Sequence, residues 1–226
     1  EIVPQIERLA ADFPLSEGVQ IKLTGEQVEQ AETADFLAMA VMIAIGLIFF
    51  ILITQFNSIS KTIIILSEVV FSIIGVLLGI VIFNMTISVI MTGLGIVALG
   101  GIVVRNGILI VEFTDVLKER GLKTRDAILQ AGLTRITPVI LTATATILGL
   151  IPLAIGFNLN FASLFTQLDP QIHIGGDNVM FWGPLAWSII FGLSFATFLT
   201  LVLVPALYLM VYEIKIKLKR RKSNKI

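Results

Sequence analysis

The sequence has no cysteine and a single histidine among its 226 residues. Without cysteine it has no disulfide framework, thiolate nucleophile or cysteine-based zinc site, and one histidine argues against a metal site built from imidazoles. Charge is scarce as well: Asp, Glu, Lys and Arg make up 14% of the residues, against about 25% in an average soluble domain. These shortages exclude a soluble globular enzyme, a disordered tail and a nucleic-acid-binding protein.

Long apolar stretches replace the missing charge, and 56% of the residues are hydrophobic. A helix that crosses a bilayer needs about 20 mostly apolar residues. Five stretches within residues 36–212 reach that length, and we predict one transmembrane helix for each: 36–54, 62–83, 87–113, 136–157 and 181–212. The predicted fold class is therefore an all-α polytopic membrane protein.

The cations are unevenly distributed between the segments that flank these spans. The loop predicted over 114–135 holds five Lys or Arg residues and the tail over 213–226 holds seven, whereas the loop over 158–180 holds none. Positive residues concentrate on the cytoplasmic side of membrane proteins. We therefore expect the 114–135 loop, with a short helix in it, and the basic tail to be cytoplasmic. The 158–180 loop is then extracytoplasmic, and an odd number of spans places residues 1–35 on that outer side too.

Residues 1–35 are mixed in polarity and show two periodicities. Apolar residues recur at three-to-four spacing over 2–13, which is typical of an amphipathic helix, and VQIKLT at 19–24 alternates like a strand. A helix–strand–helix fragment of this size has nothing to pair with, and the chain begins at Glu1 rather than Met. We expect the chain to be part of a longer protein, with 1–35 as the end of a larger extracytoplasmic domain.

Three polar residues are predicted to lie at one depth inside the membrane. At 1.5 Å per residue, Arg105 and Glu68 lie about 12 Å from the cytoplasmic face, and Thr142 lies about 10 Å from it. An arginine at that depth is costly unless it faces protein or water or extends its head group to the interface. We favour a coupling or gating role for Arg105 over such snorkelling, because a cation, a carboxylate and a hydroxyl at one level suit a proton relay.

Two further polar residues complete this candidate site. Arg135 stands at the start of the fourth span, and Asn106 directly follows Arg105. The sequence does not show which helices touch. It therefore leaves open whether Glu68 is the partner of Arg105 or makes an unrelated packing or subunit contact.

Glycines recur at helical spacing in the second and third spans. Gly75 and Gly79 form a GxxxG motif, and Gly100 and Gly107 lie seven residues apart on the third span. Small residues let membrane helices approach closely. We predict a packing role for the GxxxG motif, and a closely packed central position for the third span, which also carries Arg105.

Three strings resemble the C-terminal end of resistance-nodulation-division (RND) efflux permeases: GIVVRNGILIVEF at 101–113, RITPVILTATATILGLIPL at 135–153 and TGEQVEQAETADF at 24–36. The resemblance extends over essentially the whole chain. It implies that the five spans are the last five of a twelve-helix bundle and that residues 1–35 are the remnant of a periplasmic porter domain. It also implies a proton-driven antiporter of the bacterial inner membrane, of the multidrug type or a related one.

The resemblance implies roles for individual residues. The basic residue of the family's tenth helix corresponds to Arg105, and the arginine and threonine of its eleventh helix correspond to Arg135 and Thr142. The family's paired aspartates belong to the fourth helix, in the N-terminal half that precedes this chain, and Glu68 is not part of the family's relay. The multidrug branch usually has lysine where Arg105 stands. Because arginine keeps its proton, we expect Arg105 to act as a fixed counter-charge.

The implied partners are the N-terminal half of the same chain, two further copies in a homotrimer, a periplasmic adaptor, an outer-membrane channel and the lipid bilayer. Two other functions stay open. One is a Sec-type protein-export accessory subunit of the same superfamily, and the other is a non-transporting packing or scaffold domain in which Arg105 and Glu68 only lock helices together. An enzyme is not predicted, since the sequence shows no nucleophile–base pair, metal cluster or phosphate loop; no cofactor is expected.

Overall fold

The structure, a computed structural model, describes residues 26–160, 165 and 168–223. Within them lie five long helices: α1 (Glu26–Phe56), α2 (Ile59–Ile82), α3 (Val89–Glu119), α4 (Thr124–Ile155) and α5 (Asp177–Ser223). Each contains a stretch that is long and apolar enough to cross a membrane. The predicted all-α fold with five transmembrane helices is confirmed.

Helix α3 occupies the centre of the bundle. It packs against each of the other four helices, and α5 packs along α2, α3 and α4. The interior between them is apolar, with Leu99 and Val103 of α3 and Leu193 of α5 fully buried. Since α3 has neighbours on most sides, any of its residues that stays exposed marks a side of the bundle that these helices leave open.

The glycines of α2 bring α5 into close contact. A β-carbon at Gly75 would lie 2.5 Å from the Cβ of Phe195, and one at Gly79 would lie 2.5 Å from the Cβ of Phe191. Both distances are too short for any side chain, so the two phenylalanines pack directly on the α2 backbone. The predicted packing role of the GxxxG motif is confirmed.

The connection between α3 and α4 is shorter than predicted. α3 continues to Glu119 and α4 begins at Thr124. The segment predicted as a 114–135 loop with a separate short helix therefore consists mainly of the ends of two long helices. Gly121, with a φ of 92°, lies in the turn between them, where its lack of a β-carbon permits the left-handed conformation. The prediction differed because positive residues mark the membrane boundary but do not end a helix.

The segment predicted as the 158–180 loop takes part in a small antiparallel ribbon. It pairs β1 (Phe157–Asn158) with β2 (His173–Ile174). The side-chain amide of Asn158 donates hydrogen bonds to the carbonyl oxygens of Gly156 and Gly175, at 2.9 and 2.8 Å. These bonds hold the two ends of the α4–α5 connection together.

The two terminal segments are described only in part. The helix and strand predicted before residue 26 lie outside the described residues, and the second predicted helix of the 1–35 segment is the start of α1. At the other end, α5 continues without a break to Ser223, so the described part of the predicted basic tail, 213–226, is helical.

Candidate coupling site in the helix bundle

An exposed stripe runs along the central helix α3. Its members recur at intervals of three, four or seven residues and so share one helix face: Leu94, Ala98, Gly101, Arg105 and Glu112. Arg105 lies within this stripe, next to the small residues Ala98 and Gly101. A cation flanked by small residues suits the close approach of another protein segment that carries a counter-charge.

Two helices flank this stripe. On one side, Val97 of α3 and Val41 of α1 line the same small apolar pocket. On the other side, Phe113, about 80° around the helix from Arg105, contacts Arg135 of α4. Arg105 therefore lies in a groove between α1 and α4 whose outer side is open in this chain.

Arg135 is held by an aromatic ring. Its guanidinium carbon lies 4.5 Å from the centre of the Phe113 ring, which is within the range of a favourable cation–π contact. Its Nε is buried and has no hydrogen-bond partner within the part of the chain that the structure describes. The contact places this face of α4 against α3.

Thr142 lies seven residues beyond Arg135 and so on the same face of α4. Its side chain is exposed, and its hydroxyl donates a hydrogen bond to the carbonyl oxygen of Val139 at 3.0 Å. From the contact between Arg135 and Phe113, Thr142 lies seven residues further along α4 and Arg105 lies eight residues back along the antiparallel α3. These separations are about 11 and 12 Å, so Thr142 and Arg105 lie at nearly the same level. The structure thus brings Arg105, Arg135 and Thr142 to one side of the bundle.

Glu68 lies on the opposite side of α3. It is 2% exposed, and its Oε2 accepts a hydrogen bond from the hydroxyl of Thr200 at 2.6 Å. Its Oε1 lies against Gly107 and has no hydrogen-bond partner in the described chain. Gly107 is about 200° around α3 from Arg105. Of the possibilities that the sequence left open, the structure shows a packing contact within this chain and not a pair with Arg105.

Asn106 also faces the interior. It is 2% exposed, and its Oδ1 has no hydrogen-bond partner among the described residues. Asn106 is therefore not part of the exposed stripe that carries Arg105. Both Asn106 and Glu68 belong to the packed side of α3, whereas Arg105 belongs to its open side.

A polar cluster at one end of the bundle, the Asp115 cluster, is not apparent from the sequence. Asp115 of α3 forms an ion pair with Lys61 of α2 at 2.5 Å, accepts a hydrogen bond from the Tyr208 hydroxyl of α5 at 3.1 Å, and lies 3.9 Å from Lys118. Three helices meet at this carboxylate. No spacing in the sequence joins positions 61, 115 and 208, so only the tertiary structure reveals the cluster.

Replacing Asp115 with alanine is expected to destabilise the bundle by about 1–3 kcal/mol, because hydrogen bonds to a charged group in a half-buried site contribute that much. Thermal unfolding of the purified complete protein would measure the loss. Glu119→Ala is the matched control, since Glu119 is exposed at the end of the same helix. Equal stability of both variants would show that the cluster contributes nothing beyond a surface charge.

Comparison with known proteins identifies the family. Residues 1–159 match the model of the AcrB/AcrD/AcrF family. The chain belongs to this family. The swarming motility protein SwrC of Bacillus subtilis strain 168 is 34% identical over 223 residues, which are 99% of this chain and 19% of SwrC. The multidrug resistance protein MdtC of Erwinia tasmaniensis is 30% identical over 211 residues, 93% of this chain and 19% of MdtC.

A metal-resistance relative and a solved structure agree with this membership. The cobalt-zinc-cadmium resistance protein CzcA of Cupriavidus metallidurans is 30% identical over 190 residues, 84% of this chain and 16% of CzcA. A crystal structure of a heavy metal efflux pump superposes with a TM-score of 0.69 at 27% identity, covering 93% of this chain and 19% of the pump. The resemblance to RND permeases is confirmed, and the chain spans 19% of the length of SwrC and of the solved pump.

Proposed function

We propose that this chain is the C-terminal membrane part of a proton-driven export permease of the bacterial inner membrane. The observation that carries the proposal is the position of Arg105: it lies on the exposed stripe of the central helix, on a side of the bundle that this chain leaves open. A cation at that place needs a counter-charge. The rest of an RND permease supplies one, in the paired aspartates of its fourth helix.

The proposed mechanism couples proton binding to helix movement. Arg105 keeps its charge, so its attraction for the aspartates changes only when they gain or lose a proton. Arg135 and Thr142 lie at the same open side. The positive charge of Arg135 and the hydroxyl group of Thr142 stabilise the ionised form of the paired aspartates. Asn106 and Glu68, on the packed side of α3, respond when α3 shifts. Periplasmic domains that precede this chain then pass through access, binding and extrusion.

The family membership favours the permease over the two other functions. A Sec-type accessory subunit shares the helical half, but the protein-family match is to the AcrB/AcrD/AcrF family. The scaffold alternative requires Arg105 and Glu68 to lock two helices together. Instead, Glu68 accepts a hydrogen bond from Thr200. Relatives at 30% identity are named for multidrug resistance and for cobalt, zinc and cadmium resistance. We therefore propose export without assigning the exported substrate.

We also propose that the complete protein is a homotrimer that works with a periplasmic adaptor and an outer-membrane channel, as the family resemblance implies. Export by cells that produce the complete protein, compared with its Arg105→Ala variant, tests the proposed function. Loss of export with normal amounts of protein supports coupling. Loss of the folded protein itself supports the scaffold.

The orientation can be tested directly because this chain has no cysteine. Single cysteines are placed at Lys123, in the α3–α4 turn, and at His173, in β2, after any cysteines elsewhere in the protein have been replaced. We expect a membrane-impermeant maleimide to label the His173→Cys variant from the periplasmic side, and the Lys123→Cys variant only after the membrane is opened. The reverse pattern would contradict the proposed orientation.

A further inference from the structure

Glu68 is enclosed entirely by this chain. It is 2% exposed, and its Oε1 is buried, although this chain spans only 19% of the length of SwrC. Further protein can cover more surface but cannot reach a group that is already sealed. The surroundings of Glu68 are therefore those that α2, α3 and α5 provide, in contrast to Arg105, whose surroundings depend on the rest of the protein.

Among the residues that the structure describes, no cation compensates a charge on this carboxyl group. The helices that pack against α2 are α1, α3 and α5, and in the described chain the hydroxyl of Thr200 is the hydrogen-bond partner of Glu68. On α3, Arg105 and Glu112 belong to the exposed stripe on the far side. On α1, the acids Glu32 and Asp35 lie just before Leu37, whose side chain lies against Gly93 of α3. Gly93 is about 21 Å along α3 from Gly107, the residue beside Glu68, so these two acids are far from Glu68. A buried, uncompensated carboxylate is strongly disfavoured.

The ionisable groups nearest to Glu68 on the packed side of α3 are those around Asp115, which form the Asp115 cluster. Lys61 lies seven residues before Glu68 on α2, Asp115 eight residues after Gly107 on α3, and Tyr208 eight residues after Thr200 on α5. Seven or eight residues are two helical turns, about 11–12 Å, and return to the same helix face. The Asp115 cluster therefore lies directly in line with Glu68, on the same three helices.

This cluster lies between Glu68 and the nearer end of the bundle. Glu68 is nine residues from the first residue of α2 and fourteen from the last, about 13 Å and 21 Å respectively. Buried apolar side chains, among them Ile65, Val111 and Val204, separate Glu68 from the cluster. The positive residues assign this end of the bundle to the cytoplasm.

We propose that Glu68 is a proton-binding site, separate from the Arg105 side, that exchanges its proton with the cytoplasmic side through Asp115. In the state described here the site is loaded and Glu68 is a neutral carboxylic acid. On release, the O–H bond of Glu68 breaks, the proton passes through transient water to the Asp115 carboxylate, and from there to cytoplasmic water, leaving a Glu68 carboxylate. Reloading reverses these transfers. Only the assignment of this end of the bundle to the cytoplasmic side of the membrane rests on the proposed function.

Infrared spectroscopy of the purified complete protein tests the loaded state. A protonated carboxylic acid has a C=O stretching band, well separated from that of a carboxylate, that shifts in D₂O. We expect a band at neutral pH that is lost in Glu68→Gln and shifted in Thr200→Val, which removes the hydroxyl donor to Oε2. Thr114→Val is the matched control, because Thr114 is 1% exposed and donates to the carbonyl of Ile110 instead. Absence of a band assigned to Glu68 would overturn the proposal.

The exchange route has its own readout. We expect Asp115→Asn to slow the deuterium shift of the Glu68 band several-fold after transfer to D₂O, while the control Glu119→Gln leaves the rate unchanged. An unchanged rate in Asp115→Asn would overturn the route through Asp115. None of these measurements requires transport. If the wild-type protein exported nothing but showed the Glu68 band, the proposed function would fall and the proton site would stand.

Discussion

Replacing Arg105 with alanine in the complete protein is expected to reduce export to the level of cells that lack the protein, without reducing the amount of folded protein in the membrane. The side chain is exposed in this chain, and among the described residues it forms no ion pair, so its loss breaks no salt bridge within them. In the proposed mechanism, what is lost is the fixed charge that responds to the protonation of the aspartates. Export and membrane abundance, measured in the same cells, give the two required readouts.

Two controls sharpen this experiment. Arg125→Ala removes a cation from an exposed position on the first turns of α4 and should leave export unchanged. Arg105→Lys keeps a positive charge at the same place and should retain part of the export, since lysine lacks the planar guanidinium and is more easily deprotonated when buried. Normal export by Arg105→Ala would contradict the coupling role, and a protein that fails to accumulate would instead support a structural lock.

The helices themselves could be predicted because each depends on local composition. A run of about 20 apolar residues is sufficient to indicate a membrane helix, and all five predicted spans lie within observed helices, apart from a few residues at their ends. The residues at which the helices begin and end were less predictable. Residues 114–119 continue α3 because nothing before Gly121 breaks the helix, although their polarity indicated a loop.

The neighbours of the polar residues could not be predicted from sequence. Arg105 and Glu68 lie at similar levels, but whether they meet depends on the rotation of α3, which places them on opposite sides. The partner of Glu68 is Thr200, 132 positions away on α5, and the partners of Asp115 lie on two other helices. The spacing of the glycines predicted helix packing better than the polar residues did. Gly100 and Gly107, seven residues apart, both lie on the face of α3 that packs against α2.

The GxxxG motif of α2 is expected to be highly sensitive to any added side chain. Replacing Gly79 with alanine introduces a β-carbon 2.5 Å from the Cβ of Phe191. Because that Cβ is fixed to the α5 backbone, no rotamer change relieves the overlap, and α2 and α5 must move apart. Overpacking of this kind costs about 1–3 kcal/mol, and Gly79→Leu is expected to cost more. Thermal unfolding of the purified protein and its abundance in the membrane would both register the loss.

Gly100→Ala provides the matched control for this prediction. Gly100 is also a buried helical glycine, but a β-carbon there would lie 3.6 Å from Val69, an ordinary van der Waals distance, so the variant should unfold at or slightly above the wild-type temperature. Helix propensity alone favours alanine over glycine by about 1 kcal/mol at both positions. A difference between the two variants therefore isolates the packing of Phe191 on the α2 backbone. Equal stability would show that α2 and α5 separate at little cost, and that the close contact at Gly79 is not what holds α5 in the bundle.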